Sequence, residues 1–273
     1  MCKLPYMVKT PLSRETGRNL YQEVPCGSCD ECYKQRSNQW YIRLHYEQLA
    51  SITSYFITLT YATAPRSYNY LRTTIKQDII KFMKRLRKTE PLLKYYAVSE
   101  YGEISQRPHY HAIIFTNKVL DDNFILSKWN NGHITSSMAN ARRLRYICKY
   151  HLNRGDKPNN VVNDSFNLMS KGIGISYVEI MKNYHNLSNS YVSYYEKRLP
   201  MPRYYKEKIY TKREREIIAD SFSPSFEELD KKLREYKKKF PNSSYFKYIL
   251  LKNEEKQRIF ELNLKRKKFR NIL

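Results

Sequence analysis

Residues 55–61, Tyr-Phe-Ile-Thr-Leu-Thr-Tyr, place β-branched and aromatic side chains with a period of two, the signature of a strand. Tyr95–Ser99 and Tyr110–Phe115 read the same way. The stretch between them, Tyr101–Pro108, supplies Gly102 and Pro108 as turn chemistry, so 95–115 predicts a β-hairpin. Elsewhere the period changes. Through 74–88 the apolar residues fall at 75, 79, 82, 83 and 86, the stripe of a helix packed on a sheet with a basic outer face. Trp40, Leu44 and Leu49 give a similar stripe to 36–50, and Ala141, Leu144, Cys148 and Leu152 give one to 139–154. Residues 129–135 read as a turn and a short strand, and 199–205 as an extended connection ending in the stacking-capable pair Tyr204 and Tyr205. The fold class expected is α+β, an antiparallel sheet with helices on one side.

One spacing inside the hairpin carries chemistry. His109 and His111 project from the same face of their strand while Tyr110 points away. Glu100 ends the incoming strand, where antiparallel pairing brings its carboxylate beside both imidazoles. Two nitrogens and one carboxylate hold a divalent cation and leave coordination positions open for a substrate oxygen. A His-x-His strand alone is equally what a chance pair facing solvent or core looks like. Here it follows Arg107-Pro108, opens an apolar strand and has a carboxylate nine positions upstream, which favours the metal reading. Pro108 fits a strand start, where a missing N–H is tolerated. His133 stands apart and reads as structural.

The 139–154 helix adds a second element. Tyr146 and Tyr150 lie one turn apart on the face away from the aliphatic stripe, with Arg143 on that face and Lys149 flanking it. Phenols segregated from the core stripe and bracketed by cations suit phosphate chemistry. With 26 tyrosines in the chain, i,i+4 pairs also arise by chance, so the pair draws its meaning from the hairpin upstream.

Composition narrows the partner. Fifty Lys and Arg against 26 Asp and Glu leave +24, a surplus that favours a polyanion because each neutralised phosphate releases counterions. Residues 206–273 hold +9 of it, with 20 Lys and Arg against 11 Asp and Glu. No apolar run approaches the roughly 20 residues of a membrane helix, and Met1-Cys-Lys-Leu-Pro-Tyr6 lacks the apolar region of a secretory leader. A cytoplasmic protein without a membrane partner is expected. In a reducing compartment, Cys26-Gly-Ser-Cys29-Asp-Glu-Cys32 suggests metal rather than disulfides, with Cys2 as the fourth ligand of a structural Zn²⁺. Iron–sulfur ligation is the runner-up and three free thiols at a turn the plain alternative. The glycines of 166–177 lack dinucleotide-fingerprint spacing, and no phosphate-binding G-x-x-x-x-G-K-[ST] loop occurs, so no ATP-driven step is expected.

Glu100, then His109-Tyr-His111 nine residues on, resembles the metal site of the HUH endonucleases. The likeness is closest to rolling-circle replication initiators of the Microviridae, gokushovirus type. It extends over roughly residues 1–205, through the Cys-rich start, Phe56-Ile-Thr-Leu-Thr-Tyr61, the hairpin and Tyr146-x-x-Lys149-Tyr150. The resemblance implies a ferredoxin-like or RRM-like catalytic sheet and a Mg²⁺ or Mn²⁺ cofactor on Glu100, His109 and His111. It implies Tyr146 and Tyr150 as nucleophiles assisted by Lys149, a 5′-phosphotyrosine intermediate, and religation after one round. Arg107 and Arg143 are candidate DNA contacts. The implied partners are a single-stranded DNA origin and the host polymerase and helicase, in the bacterial host cytoplasm. Three segments are expected: a Cys-rich segment and helix over 1–50, the endonuclease domain over 51–205, and a basic helical extension over 206–273. In the last, a capping box at 225–228 opens one helix and a second runs over 245–270. Two other readings stand beside this one: a non-catalytic, basic, zinc-containing nucleic-acid-binding protein, and an HUH relaxase or transposase.

Overall fold

The structure is a computed structural model. It describes residues 2, 6–9, 21–66, 73–102, 105–149, 165–188, 190–194, 197–221, 234–235, 238–239 and 241. In chain order the elements are β1 (Tyr6–Lys9), β2 (Tyr21–Val24), α1 (Asp30–Leu49), β3 (Thr53–Tyr61), α2 (Lys76–Arg87), β4 (Lys94–Tyr101), β5 (Pro108–Thr116) and α3 (Asp122–Leu126). They continue with β6 (Gly132–Met138), α4 (Ala141–Lys149), β7 (Asn167–Met169), α5 (Ser176–Met181), β8 (Tyr191–Tyr194), β9 (Lys197–Pro200), α6 (Arg203–Ile209) and α7 (Lys212–Ser221). The chain divides into two compact units, residues 1–35 with 216–273, and 36–215. The capping box at 225–228, the 245–270 helix and Tyr150 lie outside the described residues.

The larger unit is built on a five-stranded antiparallel sheet of order β6-β3-β5-β4-β7. The fold is α+β, as the periodicities predict. The helices, however, cover both faces rather than one. Ile79, Phe82, Met83 and Leu86 of α2 pack with Tyr55, Ile57, Leu59, Tyr110 and Trp129 on one face. Tyr41 and Leu44 of α1 and Leu144, Ile147 and Cys148 of α4 pack with Tyr96, Val98, Ile113 and Phe115 on the other. The reason lies in the central strand. From Tyr110 to Thr116 β5 is buried at every position, so neither side tolerates water, and each large apolar side chain removed from it stabilises by about 1.5–3 kcal/mol.

Three local expectations change. In α1 the buried positions are Tyr41, Ile42, Leu44 and Glu47, while Leu49 at the helix end is 66% exposed. The 199–205 stretch is a short strand followed by helix α6, in which Tyr205 is buried, stacked on Tyr177 with ring centroids 4.6 Å apart. The glycines of 166–177 have a packing role. Gly174 has φ +74°, and a Cβ there would lie 2.5 Å from the Tyr205 hydroxyl and 2.7 Å from the Arg43 carbonyl. Its N–H donates to Glu47 Oε2 at 2.6 Å, and Glu47 also pairs with Lys94 at 2.8 Å. That anchor seats Ile173 in the core beside α1.

Candidate metal and nucleophile centre

Register builds the site. Glu100 on β4 stands directly opposite His109 on β5, and His111 follows on the same face. Glu100 Oε2 lies 3.4 Å from His109 Nε2 and 3.3 Å from His111 Nε2, and all three donor atoms fall within 4.8 Å of one another. Donors on adjacent corners of an octahedron with bonds of about 2.1 Å would be about 3.0 Å apart. Two imidazoles and one carboxylate therefore converge with the spacing and chemistry that a divalent cation needs, and the set fits.

Each ring is held from behind. His109 Nδ1 donates to the Arg107 carbonyl at 3.1 Å, which fixes the tautomer that turns a lone pair on Nε2 towards Glu100. That carbonyl is itself tied down by the Gly102 N–H at 3.1 Å, closing the hairpin turn. His111 Nδ1 is hydrogen-bonded to Thr58 Oγ1 at 3.0 Å, Thr58 being its cross-strand partner on β3. Phe56 lies two residues back along that strand, its ring stacked on His111 at 5.5 Å. Burial works to raise the Glu100 carboxyl, but the hydrogen bonds and charge of the two histidines outweigh it and hold the group below its ordinary range. For His109 burial works to lower the imidazole, and the Glu100 and Arg107 hydrogen bonds outweigh that and raise it.

Helix α4 brings a phenol to this face. Asn140 caps the helix, its side-chain carbonyl accepting from the Arg143 N–H at 3.0 Å. Leu144, Ile147 and Cys148 are buried, and Tyr146 emerges 40% exposed with its ring 5.3 Å from that of His111 and 6.0 Å from that of Phe56. Lys149, the last residue of α4, is exposed. Arg143 donates to the Met138 carbonyl, and its guanidinium lies 5.8 Å over Phe56. Arg107 donates to the carbonyls of Tyr61 and Ala62, the latter at 2.8 Å, so its first role is to tie the hairpin turn to the end of β3. His133 pairs in register with Thr60, whose hydroxyl donates to the His133 carbonyl. Among the described residues it belongs to no metal-capable group.

Other phenols are placed differently. Tyr61 and Tyr110 share a 2.6 Å hydrogen bond on the α2 face of the sheet. Burial pushes Tyr110 up to about 12 and Tyr61 higher, away from nucleophilic character. Phe56 and Thr58 went unassigned in the sequence, although the strand alternation at 55–61 carried the signal: both share the face of His109 and His111.

In the smaller unit Cys2, Cys26, Cys29 and Cys32 come together. Sγ separations are 3.5 Å for Cys2–Cys26, 3.8 Å for Cys2–Cys29 and 3.9 Å for Cys26–Cys32, and all four atoms lie within 4.8 Å of one another. A tetrahedron with Zn–S bonds of about 2.3 Å has edges of about 3.8 Å. Cys29 and Cys32 are buried. The backbone N–H of Cys26 donates to the Cys2 sulfur and that of Cys29 to the Cys26 sulfur, each at 3.3 Å. Burial tends to raise the Cys26 thiol, yet the hydrogen bonds from Ser28 and Cys29 bring it down to about 6. The donor set fits a closed, four-thiolate metal site.

Comparisons with known proteins point one way. Residues 54–154 match a family of replication-associated proteins of the ORF2 type. The chain is 27% identical over 257 residues to the Replication-associated protein ORF2 of Spiroplasma virus 4, covering 83% of this chain and 80% of that protein. It is 25% identical over 214 residues to the Replication-associated protein VP4 of Bdellovibrio phage phiMH2K, covering 67% of this chain and 66% of that one. Among solved structures, the hypothetical protein ORF119 of Sulfolobus islandicus rod-shaped virus 1 aligns with a TM-score of 0.31 at 21% identity, over 40% of this chain and 90% of that one.

Proposed function

We propose that this chain is a rolling-circle replication initiator of a Microviridae phage of gokushovirus type, a metal-assisted HUH nickase for single-stranded origin DNA. The observation that carries the reading is the packing of Tyr146 against His111, which sets an exposed phenol beside a converged Glu-His-His set. The replication-associated relatives and the +24 net charge support it from outside the site.

Glu100, His109 and His111 would hold Mg²⁺ or Mn²⁺, which supplies Lewis-acid polarisation of a phosphate oxygen and stabilises its developing charge. The remaining chemistry belongs to the chain. The Tyr146 oxygen attacks phosphorus and gives up its proton; the P–O3′ bond breaks, and the leaving 3′ oxygen takes a proton. The products are a 5′-phosphotyrosine and a free 3′-hydroxyl that a host polymerase, with its helicase, extends. Lys149, on the same exposed face of α4, favours the phenolate and the phosphate by its charge. Tyr150 serves as second nucleophile, so that one copy cuts again and reseals the circle in the bacterial cytoplasm. Arg107 and Arg143 add positive charge at the two ends of the site. The division of labour keeps residues 1–50 as a Cys-rich support with structural zinc, 51–205 as the endonuclease domain and 206–273 as a basic helical extension.

Incubation with labelled single-stranded origin DNA and Mn²⁺ or Mg²⁺, followed by a denaturing gel, tests the reading. His109→Ala and His111→Ala are expected to abolish cleavage while DNA binding persists, since phosphate contacts supply affinity without the ion. Cleavage that survives EDTA and both substitutions would falsify the metal centre. A protein that binds DNA and never cuts it would instead be the non-catalytic zinc-containing binder.

A further inference from the structure

Both α2 and α4 carry exposed cations, but on opposite faces of the sheet. On α4 the exposed side chains Arg142, Arg145, Tyr146 and Lys149 fall at i, i+3, i+4 and i+7, one continuous stripe rising about 10 Å. The helix buries its other side in the cluster of Tyr96, Val98, Ile113 and Phe115, the face that also bears Glu100, His109 and His111. Arg145 is braced, its guanidinium 4.0 Å over the Tyr41 ring. On α2 the exposed cations Lys81 and Lys84 stand over the face of Tyr61 and Tyr110. The neighbouring Arg85 and Arg87 are turned inwards, donating to the Lys128 carbonyl at 2.7 Å and to Ser170 Oγ at 2.8 Å.

Resting on the reading of Tyr146 as nucleophile, we infer that the outer face of α4 is the track for the sugar–phosphate backbone of single-stranded DNA, with Arg142 and Arg145 contacting phosphates next to the one that faces Tyr146. A strand whose phosphate lies at Tyr146 must carry its neighbouring phosphates within a nucleotide's length of that phenol. The α4 stripe puts cations there, on the tyrosine's own exposed face. The α2 cations are separated from it by the sheet and take no part. Arg142 and Arg145 thus extend the recognition surface beyond Arg107 and Arg143, whose guanidinium groups are spent on backbone carbonyls.

The test is binding of a fluorescein-labelled oligothymidylate by anisotropy over a salt series, in EDTA and in a Tyr146→Phe background. No bond is cut under these conditions, so a failure of the nicking reading appears in the cleavage gel and not here. Each lost single-strand phosphate contact lowers the slope of log K against log salt by about 0.7. Arg142→Gln with Arg145→Gln is expected to lower it by about 1.4. Lys81→Gln with Lys84→Gln removes the same charge and should leave the slope as it was, and Arg142→Lys with Arg145→Lys should retain it. Thermal melting confirms that each variant is folded; if the double Gln variant is not, Arg142→Gln alone is expected to lower the slope by about 0.7. An unchanged slope in the folded α4 variant, or an equal fall in the α2 variant, overturns the track.

Discussion

Thr58→Val isolates the support behind one metal ligand. The Thr58 hydroxyl is hydrogen-bonded to His111 Nδ1 at 3.0 Å from the neighbouring strand, whereas the ring's Nε2 points at Glu100. Valine keeps the β-branched shape a strand prefers and deletes only the partner that fixes ring orientation. Loss of such an outer partner weakens metal affinity by about 10–100-fold, or about 1.4–2.7 kcal/mol. The global fold should lose far less, since one hydrogen bond of a half-buried residue contributes about 0.5–1.5 kcal/mol. The assay is calorimetric titration of Mn²⁺ into protein without DNA, with thermal melting alongside. Thr60→Val is the matched control: it lies on the same strand and face, but its hydroxyl donates to the His133 carbonyl at 3.2 Å and touches no ligand. The reasoning is refuted if Thr58→Val binds Mn²⁺ as the parent does, or if Thr60→Val weakens it equally.

Three further outcomes are expected. Tyr146→Phe and Tyr150→Phe should each still form a covalent protein–DNA adduct, while the double variant forms none; adduct mapped by peptide digest to any other tyrosine would move the nucleophile elsewhere. Purified protein should carry about one zinc per chain in the four-thiolate site and melt at lower temperature after chelation, an outcome sunk by metal analysis that finds iron or nothing. Mn²⁺ affinity should fall as pH drops from 8 to 6: the ligand must be neutral, and His109 is raised above its ordinary 6.5, so proton competition begins above that value. The sign for metal-free stability is opposite. The raised His109 contributes fully below about 6.5 and loses its contribution as pH rises through its folded value, while the lowered Glu100 contributes above about 4.5. A melting temperature without metal that is no higher near pH 6 than near pH 8 would contradict the pairing.

Much of the centre was legible because its geometry is local. Strand alternation alone put His109 and His111 on one face, and the hairpin put Glu100 opposite His109, as the register shows. Helical spacing likewise separated Tyr146 from Leu144 and Cys148. The fourth cysteine was legible for a different reason: tetrahedral chemistry demands one more sulfur than Cys26, Cys29 and Cys32 provide, and Cys2 supplies it. What stayed hidden depends on contacts distant in sequence. Thr58 supports His111 across 53 residues, and Gly174 meets Glu47 across 127. Neither follows from a period. The second helical layer was missed because the strand residues facing α4, among them Tyr96, Val98 and Ile113, are as apolar as those facing α2, and a strand buried on both sides has no alternation to read.

That double burial has a functional consequence. A sheet with one solvated face would offer a substrate a broad, wet surface. Here α1 and α4 cover most of the ligand-bearing face, and the three metal-capable side chains lie at its open end, where side-chain exposure is 19% for His109, 18% for Glu100 and 8% for His111. The apolar floor, Phe56 stacked on His111, lowers the local dielectric and strengthens the attraction between the carboxylate and the imidazoles. The exposed side chain that meets this floor is Tyr146, whose ring contacts both Phe56 and His111. Its position is fixed by the burial of Leu144, Ile147 and Cys148 on the opposite side of the helix, so the core that stabilises α4 also aims the phenol. A cavity made there, for instance by Ile147→Ala, would cost about 2–5 kcal/mol of stability and loosen the phenol together with it. Packing and chemistry are in this way carried by two faces of a single helix.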